Sequence, residues 1–534
     1  MNKQTTRWLC AGLFLLTPIA QAAAQGVNPD PAVVRQDHLR RLEQTAPAMP
    51  TPPLAAPRTQ QAVAPESAAS VTFTEVQFSQ TALLSPEELR AIGQRYLGRS
   101  LRTSDIQALL NEVSGLYRTK GILTATPVLP QQNLQSGVLR VLLVEGRLGR
   151  VKVRNPGDGD AEWVQRWFDL ATDEVVTNEA LTSRLARFNA ASDLYASAEF
   201  IAGERFGVSD LAIDVIEGAR SQFWTFAETT NASTDASGLL AVGWRMAPFS
   251  PTGGKLEAAL LRSQQGVTLV GGTSWPWGVK GWRAGINGSA SDTRTRVRSE
   301  TEAQDLFIDG KSSAVTLEFG RTWVLSSPWV MGTGISWGTT RSRSSVANET
   351  LLDRRLDKLA LTSTFDYETS QQRATLRASA ATSKGGDGRF KHVDVSALVQ
   401  TALDDSGRWH VRVNGMARLA TSGQGSNADP IVLGGSDSVR GFDAGAVTGD
   451  KGSALQLELR HRTTFGGSPL GEVCAFVDSG QGYAEGSWQK IASMGLGFQA
   501  KISQNLGVDL VVSHQLKSEQ APRNRWLLRL VGSW

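Results

Sequence analysis

The side chains able to do chemistry are few among these 534 residues. Gly334-Ile335-Ser336-Trp337-Gly338 fits GxSxG, but a nucleophile elbow needs a strand, a sharp turn, a helix and a positioned histidine. No helical periodicity follows it, so the glycines are expected to line a strand. His38, His392, His410, His461 and His514 lack metal-ligand spacing and are expected to be solvated polar residues. GxxxxGK(S/T) is absent. The formal net charge is only +4, and no Lys/Arg run interleaves with aromatics, which excludes nucleic-acid binding. No enzyme activity, metal or cofactor is expected.

What remains is one arginine and one aspartate. Gly434-Gly435-Ser436-Asp437-Ser438-Val439-Arg440-Gly441-Phe442 reads as a loop whose glycines allow the chain to fold back and present Arg440 and Phe442. Further on, Phe476, Asp478 and Gly480 share one face of an alternating stretch, while Val473, Ala475 and Val477 take the other. If the apolar set meets lipid, Asp478 points into a lumen. An arginine on a re-entrant loop and an aspartate on an inner wall make an ion pair.

The elements that must position these residues follow from pattern. Residues 1–24 read as a signal peptide: Lys3 and Arg7 precede an apolar run, and Ala22-Ala23-Ala24 offers small residues for cleavage. That leaves Cys474 as the only cysteine of the exported chain, so no internal disulfide forms. A weak helix is expected within residues 26–45, and a proline-rich linker over 46–70 reaches roughly 75 Å if fully extended as polyproline II. Compact structure begins at Val71. Ser85-Pro86-Glu87-Glu88 is a capping box with proline at the first helical position. The order β-α-α-β-β over 71–146 recurs over 147–217, giving two small α+β domains.

From residue 218 to 534 helical periodicity gives way to alternating segments of about ten residues, the pattern of a transmembrane β-barrel. Leu455, Leu457 and Leu459 alternate with Gln456, Glu458 and Arg460; Leu506, Val508, Leu510 and Val512 stand against Gly507, Asp509 and Ser513. Sixteen strands are expected. Short turns such as 326–328 and 404–407 are assigned to the periplasmic side, and longer polar connections such as 292–311 and 342–355 to the outside. The last strand carries Trp526, Leu528, Leu530 and Trp534 on one face.

These features resemble a known superfamily. The repeated β-α-α-β-β unit is similar to tandem polypeptide-transport-associated (POTRA) domains. Val439-Arg440-Gly441-Phe442 resembles the VRG(F/Y) lid-loop motif of the POTRA-barrel proteins, and Phe476-x-Asp478-x-Gly480 their inner-wall motif. With two repeats, a preceding helix and a proline-rich linker, the chain resembles the outer-membrane transporters of two-partner secretion (TpsB), the haemolysin and filamentous-haemagglutinin exporter type. The resemblance implies an outer-membrane protein with periplasmic POTRA domains. These would receive an unfolded, large secreted partner (TpsA type), which the barrel passes outward while the N-terminal helix plugs the pore at rest. It further implies contact with outer-membrane lipid and, through the terminal aromatic Trp534, with the barrel-assembly machinery. A barrel-assembly factor of the same superfamily is the alternative; a porin-like channel leaves the repeats and the Arg440/Asp478 pairing unexplained.

Overall fold

The computed structural model describes residues 30–46, 58–59, 70–157, 159–216, 220–231, 238–297, 306–326, 328–386, 388–422, 429–465, 468–484, 486–517 and 523–534. The signal segment 1–24 and most of the linker lie outside these residues. Sixteen antiparallel strands close into a barrel, running in chain order from Ser221–Thr230 to Asn524–Ser533. Closure is what lipid demands, since an open edge would leave backbone N–H and C=O groups unpaired in hydrocarbon. The seam pairs the first strand with the last from Trp224↔Ser533 to Thr230↔Leu527. Trp534 extends it: its N–H and C=O bond the Phe223 C=O and N–H at 2.8 and 2.9 Å.

Period-two alternation decides which side chains see lipid. Leu455, Leu457, Leu459, Val473, Val477, Leu496, Leu510 and Val512 are all exposed on the outer wall, whereas Gln456, Glu458, Cys474, Phe476 and Asp478 are buried on the inner one. No helix among the described residues is long and apolar enough to cross a membrane; strands do the crossing. The GxSxG sequence lies within the seventh strand, Trp329–Val346, as its alternation requires.

Two connections differ from expectation. In 292–311, the fifth strand, Trp282–Val297, and the sixth, Leu306–Ser326, stay paired from Asp292↔Lys311 to Val297↔Leu306. The polar residues 342–355 are not a long loop: the seventh strand and the eighth, Glu349–Glu368, stay paired to Val346↔Glu349. Ala347 and Asn348, with φ of 46° and 70°, turn the hairpin. Two consecutive positive-φ residues form the tight turn that matches strand twist. Polar composition had signalled exposure to water, but a hairpin standing above the membrane meets water on both faces and can still pair.

Ahead of the barrel, two α+β units are built as the capping and periodicity signals indicate. In the first, helices α2 (Pro86–Gln94) and α3 (Thr103–Thr119) cover a sheet of Glu75–Phe78, Val138–Glu145 and Ala125–Val128. Ser85 and Glu88 form the reciprocal capping box that starts α2. Leu109, Val113, Tyr117 and Leu139 fill the core between them. In the second, α4 (Ala161–Trp167) and α5 (Asn178–Ala191) pack on Arg147–Asn155, Tyr195–Ala202 and Val208–Ile216. Trp163, Trp167, Phe168 and Phe188 make an aromatic core there. Within the second unit, Lys152 Nζ stands 2.6 Å from Asp210 and holds that carboxyl below the usual carboxylate range. Arg58–Thr59 of the linker adds to this sheet as a parallel edge strand against Glu199 and Phe200.

Before both lies helix α1, Pro31–Thr45. The Asp30 carboxylate accepts from Ala32 N, and Pro31 occupies the first turn, where a missing N–H costs nothing. The helix sits inside the barrel against strands Trp282–Val297, Leu306–Ser326 and Trp329–Val346. That wall suits it because its inward residues are small: Ser289, Ser291, Thr293, Gly310 and Ser312. Arg35 donates to Ser289 and Ser312 at 3.1 Å each. A side chain at Gly310 would meet Pro31 at 2.8 Å. We therefore expect Gly310→Leu to displace α1 and raise single-channel conductance in planar bilayers, as deletion of residues 26–45 would. Wild-type conductance from a normally inserted variant would show that the helix does not obstruct the lumen.

Candidate functional site: a loop locked in the lumen

Between the eleventh strand, Trp409–Ser422, and the twelfth, Lys451–Phe465, the chain returns into the barrel. A short hairpin, Ile431–Leu433 with Val447–Gly449, stiffens the re-entrant limbs. At the tip, φ values of 104°, 82° and 91° at Gly434, Gly435 and Gly441 set the fold-back that the glycines were expected to permit. The Ser438 hydroxyl accepts from Gly434 N at 2.8 Å and donates to its carbonyl at 3.0 Å, tying the turn to itself. Val439 and Phe442 join Ile431, Leu433, Val447, Ala454 and Ile491 in an apolar cluster inside the lumen.

Arg440 is the centre of the contact. Its Nε and NH2 donate to the two oxygens of Asp478 at 2.8 and 2.7 Å, and its own backbone N–H adds a third bond at 3.0 Å. NH1 donates to Glu458 at 2.7 Å. The guanidinium lies 3.6 Å above the centre of the Phe476 ring. Asp478 is 0% exposed. Such a desolvated fork is strong because each carboxylate oxygen is satisfied and the cation lies on an aromatic face. Gly480 leaves room for the tip: a Cβ there would come 2.8 Å from Val439. The residues singled out in sequence, Val439, Arg440, Gly441, Phe442, Phe476, Asp478 and Gly480, thus meet at one place.

Sequence reasoning missed the second acid. Glu458 sits beside Phe476 in the register of the twelfth and thirteenth strands and also receives Arg460 at 2.8 Å. Its signal was its place on the polar face of an alternating strand, next to Gln456 and Arg460; which loop it would meet was not readable. Two further contacts fix the loop: the Asp443 carboxylate pairs with Arg525, and Gln515 donates to the Gly441 carbonyl at 2.5 Å. A third links loop to helix. Arg40 of α1 donates to the Val432 carbonyl at 2.8 Å and stands 3.6 Å from Asp437.

Arg41 of α1 bonds Glu228 of the first strand at 2.7 Å, and Arg529 of the last strand bonds the same carboxylate. Helix, seam and loop therefore meet around a cavity of about 380 Å³ lined by Arg41, Glu228, Arg412, Arg440, Glu458 and Arg529 among others.

The expectation of solvated histidines fails at three positions. His38, His392 and His410 are buried. His38 bonds Thr268 at 2.7 Å and Ser263 at 3.1 Å across the lumen. His392 lies 3.6 Å from Asp429, ahead of the re-entrant hairpin, and His410 3.7 Å from Glu472 of the neighbouring wall; what covers an inward residue is a fact no strand pattern encodes.

Comparison with known proteins agrees with this arrangement. Residues 71–146 match the family described as POTRA domain, ShlB-type, and residues 262–500 the family described as haemolysin secretion/activation protein ShlB/FhaC/HecB. The heme/hemopexin transporter protein HuxB of Haemophilus influenzae is 22% identical over 411 residues, covering 70% of this chain and 69% of that protein. The outer membrane transporter CdiB of Dickeya dadantii is 24% identical over 416 residues, 73% and 72% of the two chains. In fold the chain is similar to CdiB from Escherichia coli, with a TM-score of 0.64 and 17% identity over 93% of this chain and 96% of that one. It is also similar to BamA from Haemophilus ducreyi lacking POTRA domains 1-3, with a TM-score of 0.58 and 12% identity over 87% and 100%. The chain belongs to the TpsB family of two-partner secretion transporters: an outer-membrane barrel with periplasmic POTRA domains that exports a partner protein.

Proposed function

We propose that export by this chain is gated by the lid loop and the lumenal helix together, with Arg440 as the lock. The observation that carries this reading is the four-bond capture of Arg440 by Asp478 and Glu458. A polypeptide crossing the lumen needs the volume that the loop tip and α1 fill. The Arg40 contacts to the loop backbone and Asp437 make departure of one weaken the hold on the other. The client is a large secreted polypeptide, unfolded in transit. The POTRA sheets capture it by strand addition, a mode that reads main-chain groups and so tolerates many sequences. The parallel pairing of Arg58–Thr59 with Glu199 and Phe200 supports this, since an extended segment already lies on that edge. Trp534, with its side chain exposed on the outer wall beside the seam, serves as the strand signal for the barrel-assembly machinery.

Removing the arginine leaves two carboxylates buried in the lumen, at a cost of about 3–5 kcal/mol, lowered where lumen water screens them. Arg440→Ala is expected to insert normally, to speed amide exchange across residues 431–449, and to reduce secretion at least tenfold. The swap Arg440→Asp with Asp478→Arg should restore part of it, limited by repulsion from Glu458. Secretion at the wild-type level by inserted Arg440→Ala would refute the lock.

A fragment of residues 71–217 contains both POTRA cores complete and is expected to fold and bind the unfolded N-terminal part of the client. Calorimetry measures this directly. If the folded fragment takes up no client, capture must lie elsewhere on the chain.

A further inference from the structure

Three arginines gather where the second POTRA domain touches the periplasmic rim of the barrel. Helix α5 packs against the sixth strand, Leu306–Ser326, and Val279, in the short turn before Trp282, packs against the core of that domain. Arg321 belongs to the outward row of the strand, with Leu317, Phe319, Trp323 and Leu325, all four of them exposed. Its guanidinium lies 3.7 Å above the Trp323 ring and 5.3 Å from that of Trp282. Among the described residues its one hydrogen bond is from Nε to the Lys280 carbonyl at 3.0 Å.

From the helix come Arg184, bonded to the Asp169 and Ala180 carbonyls, and Arg187, whose Nε is buried with no hydrogen-bond partner among the described residues. Burial and the nearby charges of Arg184 and Arg321 push the Arg187 guanidinium below its ordinary value. Among the described residues, none of the three forms an ion pair with a carboxylate.

Like charges gathered without a counter-ion are costly, and an outward arginine on a barrel is tolerated only near the interface. The surroundings place it there: Trp277, Trp323 and Trp329 are exposed around the short turns next to the POTRA domain, as an aromatic belt at headgroup level would be. An anion at that depth is a lipid phosphate, and guanidinium forks match phosphate oxygens two at a time.

We propose that Arg187 and Arg321, with Arg184 beside them, bind the phosphate of an anionic phospholipid of the periplasmic leaflet. The acyl chains lie on Phe319 and Leu317, which continue the outward row from Arg321 toward the bilayer, and the lipid pins the second POTRA domain to the membrane surface. Such a bound lipid acts as a third party in the joint between domain and barrel, in addition to the direct pair Arg283–Asp193 at 2.7 Å.

Native mass spectrometry of the full chain, released from detergent with phosphatidylglycerol or phosphatidylcholine added, tests this. The wild type should retain one phosphatidylglycerol in preference to phosphatidylcholine, and excess inorganic phosphate should not displace it. Arg187→Gln with Arg321→Gln should bind it about 30-fold more weakly, two interfacial cations having been removed. Because Arg321→Gln sits in the barrel, the single variant Arg187→Gln, on the POTRA domain, serves as a second measurement with an expected loss of several-fold. Equal retention by wild type and both variants, no preference between the two lipids, or displacement by inorganic phosphate would each overturn the proposal.

Discussion

Every strand of this barrel obeys one constraint: with lipid on one side and a lumen on the other, alternate residues must satisfy opposite solvents. The outer wall is met by Leu, Val and Trp, and the backbone is closed through the seam from Trp224↔Ser533 to Thr230↔Leu527. Polar side chains are thereby concentrated inward, where they would hold a column of water unless something else occupied it. The helix and the lid loop are that occupant. Each uses a different part of the wall: α1 lies on serine, threonine and glycine, whereas the loop lies on charged strands from Lys451–Phe465 onward.

The two docking modes differ in energetic character. Helix α1 buries few apolar groups; Leu42 and Ala46 reach the cluster around Trp224 and Phe226, and most of its hold is hydrogen bonding by Arg35, His38, Arg40 and Arg41. Polar contacts of this kind contribute little net stabilisation each, because water would replace them. The loop tip combines an apolar cluster with a charge pair removed from water, in which loss of either partner strands the other. The helix adds one buried ion pair of its own, Arg41 with Glu228 at 2.7 Å, so both occupants of the lumen are tied to the wall by a desolvated carboxylate.

Much of this was legible in the chain. The capping box at Ser85, the recurrence of β-α-α-β-β and the sixteen alternating segments depend on local periodicity, which survives without knowledge of neighbours. Where local composition was ambiguous, the reading failed: polar residues 342–355 suggested a loop, yet Ala347 and Asn348 turn a tight hairpin that continues the strands.

The sequence by itself determined the domain order, the strand number and, through alternation, the inward direction of Asp478; that Arg440 would meet it was implied by the resemblance of the two motifs to those of the POTRA-barrel proteins, and unlike charges make the contact favourable. Only the tertiary structure decided that Glu458 is a second acceptor for Arg440, that Arg41 and Arg529 share Glu228 across the seam, and that His38, His392 and His410 are buried. These facts depend on inter-strand register and on what fills the lumen, and both arise from contacts between residues up to several hundred positions apart that leave no periodic trace in the chain.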